Sequence, residues 1–367
     1  MKKILLASLL ALASLGQVAT AEVKTITDVL GREVKIDVPV KRPIISFYYP
    51  DYVAAVGVDN FKKVVGISRE FWEKFNPGSW ALFADKIPSL SNIADVGYVP
   101  SNTFAVEKVL TLKPDVLIMP AIQFNSLSNE IKQLEEAGIP IVVVDFNDQT
   151  IENHTKSIHL FGELNGVEER TNKIADEYVA GMNDIQTRVA NAHLPKPKIY
   201  IEFGNKGPAE YSFTFGKNMW GAIAEHVGGD NISKPFVENW GNINPEQFLT
   251  SKPDVVIITG TEAGNKTNPD IMSMGIDISE EDAQHRLAKF ITRAGWSDIP
   301  AVKNHRIFGM YHTASRSITD LASAQFMAKA LYPEQFKDID PNKTYIDFHK
   351  NYLPFVPKGT FFIQLAQ

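Results

Sequence analysis

Basic and aromatic side chains recur directly after the apolar runs of this chain that predict β-strands. In open α/β sheets, ligands bind beyond the carboxyl ends of the strands, so these side chains are candidates for a binding site. Tyrosine and tryptophan offer rigid contact area, and arginine and lysine attract anions, so the set indicates non-covalent capture of an anionic ligand. The candidates are Tyr48, Tyr49, Arg69, Trp72, Gln123, Lys206, Tyr211, Trp240, Tyr311, His312 and Arg316.

Some of these candidates have more than one interpretation. Arg69 and Arg316 are the preferred anchors for an anion, whereas His312 is either a metal ligand or a structural hydrogen-bonding group. Tyr48 and Tyr49 fall on a predicted strand whose side chains alternate between faces, so one of them is expected in the core.

The two tryptophans of the second half differ in their sequence context. Trp240 lies between Asn239 and Gly241 in a predicted loop, which suits a cleft. Trp220 falls in an apolar helical pattern and is expected in the core.

The motifs of several enzyme classes are missing from the sequence. There is no His-Glu-x-x-His, no Gly-x-Ser-x-Gly and no Gly-x-Gly-x-x-Gly. The stretch from Gly260 to Thr267 approaches a phosphate-binding loop but has Asn265 where the second glycine belongs. A formal net charge of −6 with no basic face disfavours nucleic-acid binding. We therefore predict a binding protein that is not an enzyme and has no intrinsic cofactor.

The order of the predicted elements indicates an α/β fold. Alternating residues on both sides of Leu30-Gly31 predict an edge β-hairpin. Strand patterns then alternate with helical patterns in both halves of the chain, which indicates parallel sheets. The predicted strands are 43–49, 64–67, 116–119, 141–144, 198–203 and 254–259, and helices are predicted at 220–227 and 319–331.

One long helix is predicted between the two halves. Apolar residues recur every three or four positions from Val167 to Val189, and Pro195 ends the pattern. About 23 residues at 1.5 Å each reach about 35 Å, enough to join two lobes. The predicted domains are a first lobe (22–165), a connecting helix (166–193) and a second lobe (194–367), with an insertion expected near 265–293.

A repeated motif relates the two halves. Residues 106–118 and 245–257 both place a glutamate at the head of a short helix, end it at Lys-Pro-Asp and enter a strand. Proline ends the helix because it lacks an amide hydrogen and restricts the residue before it. Glu107 and Glu246 occupy the same position in the two copies, which indicates two equivalent lobes.

The N-terminus has the pattern of a secretory signal peptide. Lys2 and Lys3 precede an apolar run, and Ala19-Thr20-Ala21 has the small-x-small form of a cleavage site. We expect cleavage after Ala21 (signal peptide 1–21) and a periplasmic protein. The chain has no cysteine, so neither disulfides nor a lipid-bearing cysteine are expected.

The chain resembles the class III periplasmic binding proteins of iron-siderophore, haem and cobalamin ABC importers. The resemblance rests on Ile26-Thr-Asp-Val-Leu-Gly-Arg, the two glutamate motifs, Gly138 to Asp145, the long helix and Gly228-Gly-Asp-Asn-Ile232. It implies two Rossmann-like α/β lobes joined by a single helix, with the ligand in the cleft between them. It also implies that Glu107 and Glu246 dock onto arginines of a two-subunit permease with its ATPase, and that the protein is a monomer.

Several ligands remain open within this fold. A metal chelate, in particular a ferric siderophore, is the favoured ligand, because basic and aromatic groups suit an anionic complex whose metal is already enclosed. The alternatives are a small oxyanion such as molybdate or tungstate and a small nickel, haem or cobalamin complex. A periplasmic enzyme is a remote alternative.

Overall fold

The computed structural model describes residues 22–264 and 268–367. The chain begins with an antiparallel hairpin of β1 (Glu22–Thr27) and β2 (Glu33–Val38), as predicted. The buried carboxylate of Asp28 organises its turn: Oδ1 accepts the amides of Leu30 and Arg32, and Oδ2 accepts the amide of Val143. The hairpin is thereby attached to the edge of the first main sheet. The predicted signal peptide lies outside the described residues.

The first lobe contains a five-stranded parallel sheet of order β5-β4-β3-β6-β7. Its central strand is β3, with β6 beside it, and all residues of both strands are buried, as expected for parallel strands covered on both faces. The strands are β3 (Pro43–Ile45), β4 (Gly66–Ile67), β5 (Ala94–Asp95), β6 (Val116–Pro120) and β7 (Ile141–Val144). The helices are α1 (Tyr49–Phe61), α2 (Arg69–Phe75), α3 (Pro77–Lys86), α4 (Val106–Leu112), α5 (Ala121–Ser126), α6 (Ser128–Glu136) and α7 (Ile151–Asn165).

The strand predicted at 43–49 is too long. It ends at Ile45, and α1 begins at Tyr49 with Pro50 in its first turn. Proline is favoured there because its fixed φ suits a helix and its missing amide hydrogen has no helical partner to lose. Tyr48 and Tyr49 therefore do not alternate across a strand.

The long connecting element is α8 (Glu168–Ala192), a helix of 25 residues. Its buried positions include Ile174, Tyr178, Met182 and Ile185, which follow the predicted three-to-four-residue spacing. The helix ends at His193, which adopts the left-handed conformation. Among the described residues, no helix combines the length and apolar character needed to cross a membrane.

The second lobe has a mixed sheet in which β8, β12 and β14 run parallel and β16 and β9 flank them antiparallel. The strands are β8 (Lys198–Phe203), β9 (Phe213–Phe215), β10 (Asp230–Asn231), β11 (Trp240–Asn242), β12 (Val255–Gly260), β13 (Gly275–Ile276), β14 (Ile307–Tyr311), β15 (Gly359–Thr360) and β16 (Phe362–Gln364). The helices are α9 (Met219–His226), α10 (Pro245–Ser251), α11 (Glu280–Phe290), α12 (Pro300–Lys303), α13 (Asp320–Leu331) and α14 (Pro341–Tyr352). The chain thus forms the two-lobe α/β fold expected from its sequence.

The stretch expected to be an insertion is packed into the second lobe. Residues 265–267 lie outside the described part, but β13 pairs with β15, and α11 buries Leu287 and Phe290. Arg293, at its end, is 8% exposed and forms two hydrogen bonds, of 2.7 and 2.8 Å, with the buried carboxylate of Glu202 on β8. A bidentate buried pair of this kind costs stability when one partner is removed, so this end belongs to the core of the lobe.

Candidate ligand-binding cleft

A cavity of about 250 Å³ opens between the two lobes at the carboxyl ends of their parallel strands. The first lobe contributes residues that follow β3, β5, β6 and β7, and the second contributes residues from β8, β9, α9, β11 and the segment after β14. The principal side chains from the first lobe are Phe47, Tyr98, Ile122, Gln123 and Asn147. Those from the second lobe are Phe203, Phe213, Phe215, Trp240, His312 and Arg316.

Arg316 is the cationic group of this cavity. Its guanidinium carbon lies 5.0 Å from the centroid of the Phe47 ring, across the lobe boundary. Nε is buried without a hydrogen-bond acceptor, and within residues 22–264 and 268–367 no carboxylate lies within ion-pair distance of the guanidinium. A half-buried cation without an anionic partner is a site at which an anion gains charge-assisted hydrogen bonds.

His312 presents an N–H group to the same cavity. Its Nδ1 accepts the indole N–H of Trp220 at 3.2 Å and lies 2.9 Å from Thr259 Oγ1. Because an indole nitrogen only donates, Nδ1 carries no hydrogen, and the hydrogen of the neutral ring is on Nε2. Burial, together with the charge of Arg316, lowers the pKa of His312 to about 3, so the ring is neutral.

This tautomer argues against the predicted metal role of His312. A metal at Nε2 requires the ring hydrogen on Nδ1, where it would face the Trp220 N–H donor. Within the described chain, no cluster of three histidine, cysteine or carboxylate side chains could hold a metal ion. The Nε2–H group of His312 is therefore a hydrogen-bond donor available to the cavity. The ring is held by stacking on Phe203, with 4.2 Å between the ring centroids.

Two further predicted residues line the cavity. Gln123 is buried, and its Oε1 accepts Ser46 Oγ–H at 3.1 Å, which leaves its amide N–H groups as donors. Trp240 is 46% exposed and pairs with Phe215 across β9 and β11, which places it diagonal to Phe213 on one face. Trp220 is fully buried and belongs to the core, as expected.

Three first-lobe candidates are core residues and lie outside the cavity. Tyr48 and Tyr49 are 2% and 1% exposed, so both, and not one, are buried. Trp72 is also buried and donates its indole N–H to the carbonyl of Phe47 at 2.9 Å. These side chains support Phe47, which is the residue of this cluster that reaches the ligand cavity.

Four other candidates lie outside the cavity and are engaged elsewhere. Arg69 donates to the carbonyl of Ser91 at 3.1 Å, and Lys206 pairs at 3.1 Å with Glu210, four residues further along the same loop. Their position after a strand is as predicted, but their partners are local. The remaining two are Tyr211, which accepts the Trp296 indole N–H at 2.7 Å, and Tyr311, which donates to Glu262 at 2.7 Å.

Among the aromatic side chains that line the cavity, the sequence predicts Trp240 but not Tyr98, Phe203, Phe213 or Phe215. Phe203 is the last residue of β8, and Phe213 and Phe215 lie on β9, so their positions at strand ends are the sequence signal that identifies them. Tyr98 and Asn147 lie in connections without periodicity. No pattern in the sequence separates these two from ordinary loop residues.

The buried carboxyl of Glu262 predicts a stability that depends on pH. Burial raises the pKa of this carboxyl to about 7, because it outweighs the hydrogen bonds from Tyr311 and the Ile276 amide, which lower the pKa. The folded protein then keeps a proton that the unfolded chain releases near its ordinary pKa of 4.5, so stability falls as the pH rises from 5 to 8. We expect the free energy of unfolding to fall by about 2–3 kcal/mol less between pH 5 and pH 8 in Glu262→Gln than in the native protein. Chemical denaturation of both proteins at the two pH values measures it, and a difference that does not change with pH would contradict it.

The two glutamate motifs fold identically. Glu107 and Glu246 are exposed residues in the first turns of α4 and α10, and both helices end at a left-handed lysine, Lys113 and Lys252. In each motif the aspartate then binds the backbone amide where a neighbouring strand begins. Asp115 accepts the amides of Lys41 and Arg42 before β3, and Asp254 accepts the amide of Lys198 at the start of β8.

The direction of these helices places both glutamates on the cleft side. Each helix leads into a parallel strand, β6 or β12, and therefore runs opposite to it. Its first turn then lies toward the carboxyl ends of the strands, the edge at which the cavity opens. In the described chain neither carboxylate forms an ion pair or a side-chain hydrogen bond, so both are available to a partner.

Comparisons with known proteins agree with this architecture. A family model described as "Periplasmic binding protein" matches residues 79–313, more than half of the chain. The crystal structure of the TroA-like periplasmic binding protein FepB from Veillonella parvula superimposes with a TM-score of 0.87 at 33% identity, covering 93% of this chain and 99% of that one.

One relative that matches over nearly its full length is named after the ligand that it binds. The molybdate-binding protein MolA of Haemophilus influenzae is 23% identical over 379 residues and 96% of each chain. Its molybdate-bound structure has a TM-score of 0.69 at 19% identity and covers 92% of this chain and 99% of that one. The family model and the match to FepB show that the chain belongs to the periplasmic binding protein family, whose members are substrate-binding components of ABC importers.

Proposed function

We propose that this protein captures an anionic metal chelate, in particular a ferric siderophore, and delivers it to the permease of an ABC importer. The observation that carries the proposal is the unpaired guanidinium of Arg316 in an aromatic cleft between two lobes. Such a cleft can bind one anionic group directionally and cover the rest of the ligand with ring surface. The protein itself contributes no intrinsic cofactor.

The composition of the cavity favours a chelate over a bare oxyanion. Its polar side chains are Arg316, His312, Gln123, Asn147 and Tyr98, whereas the rest of the lining is apolar and largely aromatic. An oxyanion has acceptor oxygens on all sides, and those facing ring carbons would lose water without gaining a hydrogen bond. A chelate encloses its metal in organic groups, so aromatic walls suit its outer surface.

A small oxyanion remains the second candidate. MolA matches nearly the whole chain, and its name specifies molybdate. For molybdate to bind here, it would have to sit against Arg316 and His312 with water filling the rest of a 250 Å³ space. This arrangement predicts weak binding, which distinguishes it from tight capture of a chelate.

The same proposal covers the location and the partners of the protein. We propose that residues 1–21 are a signal peptide cleaved after Ala21 and that the mature protein works as a monomer in the periplasm. Glu107 and Glu246, exposed on the cleft side of the two lobes, would each pair with a basic side chain of one permease subunit. Pairs of this kind orient a partner and speed its association more than they add to affinity.

A titration with defined ligands tests this proposal. The panel is ferric tris(catecholate), a ferric trihydroxamate, ferric citrate, sodium molybdate, nickel with histidine, and haemin. Trp240 is the exposed tryptophan at the cavity, whereas Trp72, Trp80, Trp220 and Trp296 are buried. We expect saturable one-site quenching of tryptophan fluorescence by a ferric chelate, most of which disappears in Trp240→Phe. If molybdate binds tightly and no ferric chelate binds, the proposed ligand class is wrong and molybdate is the ligand.

A further inference from the structure

Arg316 stands in a short segment whose backbone needs support. The segment connects β14, which ends at Tyr311, to α13, which begins at Asp320. Arg316 has a φ of 58°, in the left-handed region that residues other than glycine rarely adopt. Such conformations persist only where the surroundings hold them, so the contacts of the neighbouring residues decide where the guanidinium lies.

Those contacts come from the other lobe, on both sides of Arg316. Before it, Thr313 Oγ1 donates to Asn76 Oδ1 at 2.6 Å. After it, Ser317 Oγ and the Ile318 amide both donate to Asp51 Oδ1, at 2.8 and 2.9 Å. Asn76 and Asp51 belong to the first lobe and are 1% and 4% exposed, so water does not compete for these bonds.

A buried ion pair completes the connection at Asp320, the first residue of α13. His154 Nε2, on α7 of the first lobe, lies 2.7 Å from Asp320 Oδ2, and both side chains are fully buried. Tyr178 of the connecting helix donates to the other oxygen of Asp320 at 2.8 Å. Burial alone would keep His154 neutral, but the carboxylate of Asp320 outweighs it and raises the pKa of the imidazole.

We propose that Asn76, Asp51 and His154 form an interlobe clamp that holds Arg316 in its ligand-binding position. They are positioning residues, because the ligand touches Arg316 and not the clamp. Since the two sides of the clamp belong to different lobes, separating the lobes breaks its hydrogen bonds and releases the Arg316 segment. The clamp thus couples loss of the anion anchor to lobe opening. This inference rests on the proposed role of Arg316.

A double-mutant cycle tests the clamp with ferric tris(catecholate) as the probe. We expect Asp51→Ala to weaken binding about ten-fold in the otherwise native chain and less than about two-fold in an Arg316→Gly background. Asp51→Asn keeps an acceptor oxygen for Ser317 and Ile318, so it should recover most of the lost affinity. Equal losses in both backgrounds would show that Asp51 acts independently of Arg316 and would overturn the proposal.

A second readout needs no ligand. Phenylglyoxal modifies accessible arginines, and peptide mass spectrometry measures the rate at which Arg316 is modified. Arg188, which pairs with Asp338 on the surface, is the internal reference. We expect Asp51→Ala to accelerate modification of Arg316 at least about five-fold, with Arg188 unchanged. If Asp51→Ala fails to fold by circular dichroism, Ser317→Ala takes its place and should act in the same direction. It removes one of the two hydrogen bonds to Asp51, together with the contacts of Ser317 Oγ with Thr319, and keeps the bond from the Ile318 amide.

The two readouts separate the clamp from the proposed function. If no ferric chelate binds the native protein but Arg316 becomes reactive in Asp51→Ala, the clamp stands and the ligand class is wrong. If chelates bind and the reactivity of Arg316 does not change in any of these variants, the clamp is wrong and the ligand class stands.

Discussion

Uptake should fall at least about 100-fold when Glu107 and Glu246 are both replaced with lysine, because each lobe would then present a positive charge to a basic permease surface. Like charges placed together at an interface cost several kcal/mol, whereas the native pairs mainly guide association. Ligand binding should be unchanged, because both side chains are exposed and lie in α4 and α10, outside the cavity lining. Transport of radioactive iron chelate into cells, beside calorimetry on the purified variant, measures the two effects.

The matched control carries the same change of charge at other exposed glutamates. Glu136 in the first lobe and Glu334 in the second are exposed and lie outside the glutamate motifs. The double lysine variant at these positions should transport at close to the native rate. If this control variant also loses transport, the loss is caused by the change in total charge and not by docking. If the Glu107 and Glu246 variant transports normally, the docking assignment is wrong.

Removing the charge of Arg316 should weaken binding of an anionic chelate by about 1–3 kcal/mol, or about 5- to 150-fold, because charge-assisted hydrogen bonds contribute that much. Arg316→Gly is the most informative change, since glycine adopts a φ of 58° without strain, so the side chain is removed without adding backbone strain. The variant should melt at the native temperature or above it, while its affinity falls.

Arg69→Ala is the control for Arg316→Gly. Arg69 was the other arginine that the sequence suggested as an anchor, but it donates to the carbonyl of Ser91 outside the cavity. Its removal should leave the dissociation constant within about two-fold of the native value. Calorimetry with the chelate of the panel that binds most tightly measures the dissociation constants of the two variants. Loss of affinity in Arg69→Ala but not in Arg316→Gly would place the anion elsewhere.

The fold could be predicted well because its signals are local. The β1–β2 hairpin, the strands β6, β7 and β8 and the helix α8 follow from turn residues and apolar periodicity. The glutamate repeat predicted two equivalent lobes, and both copies indeed bind the start of a neighbouring strand through an aspartate. The main error, at Tyr48 and Tyr49, arose where Pro50 begins a helix inside an apolar run.

The site could be predicted only in part, because tertiary contacts decide which of the candidate side chains reach the cavity. Gln123, Trp240, His312 and Arg316 line the cavity as predicted. Lys206 has the same chemistry and a similar place after a strand, yet Glu210 pairs with it, and nothing short of the fold reveals which cations remain unpaired. The tautomer of His312 likewise depends on Trp220, which is 92 residues away in the chain.

The cargo of the protein taken from its own periplasm tests the central claim most directly. Native mass spectrometry combined with elemental analysis would identify both the metal and any organic chelator that copurifies with the full chain. We expect one equivalent of iron together with an organic ligand of several hundred daltons, and its loss from Arg316→Gly. Molybdenum or nickel without an organic partner, retained at the same level in that variant, would contradict the capture of an anionic metal chelate by Arg316.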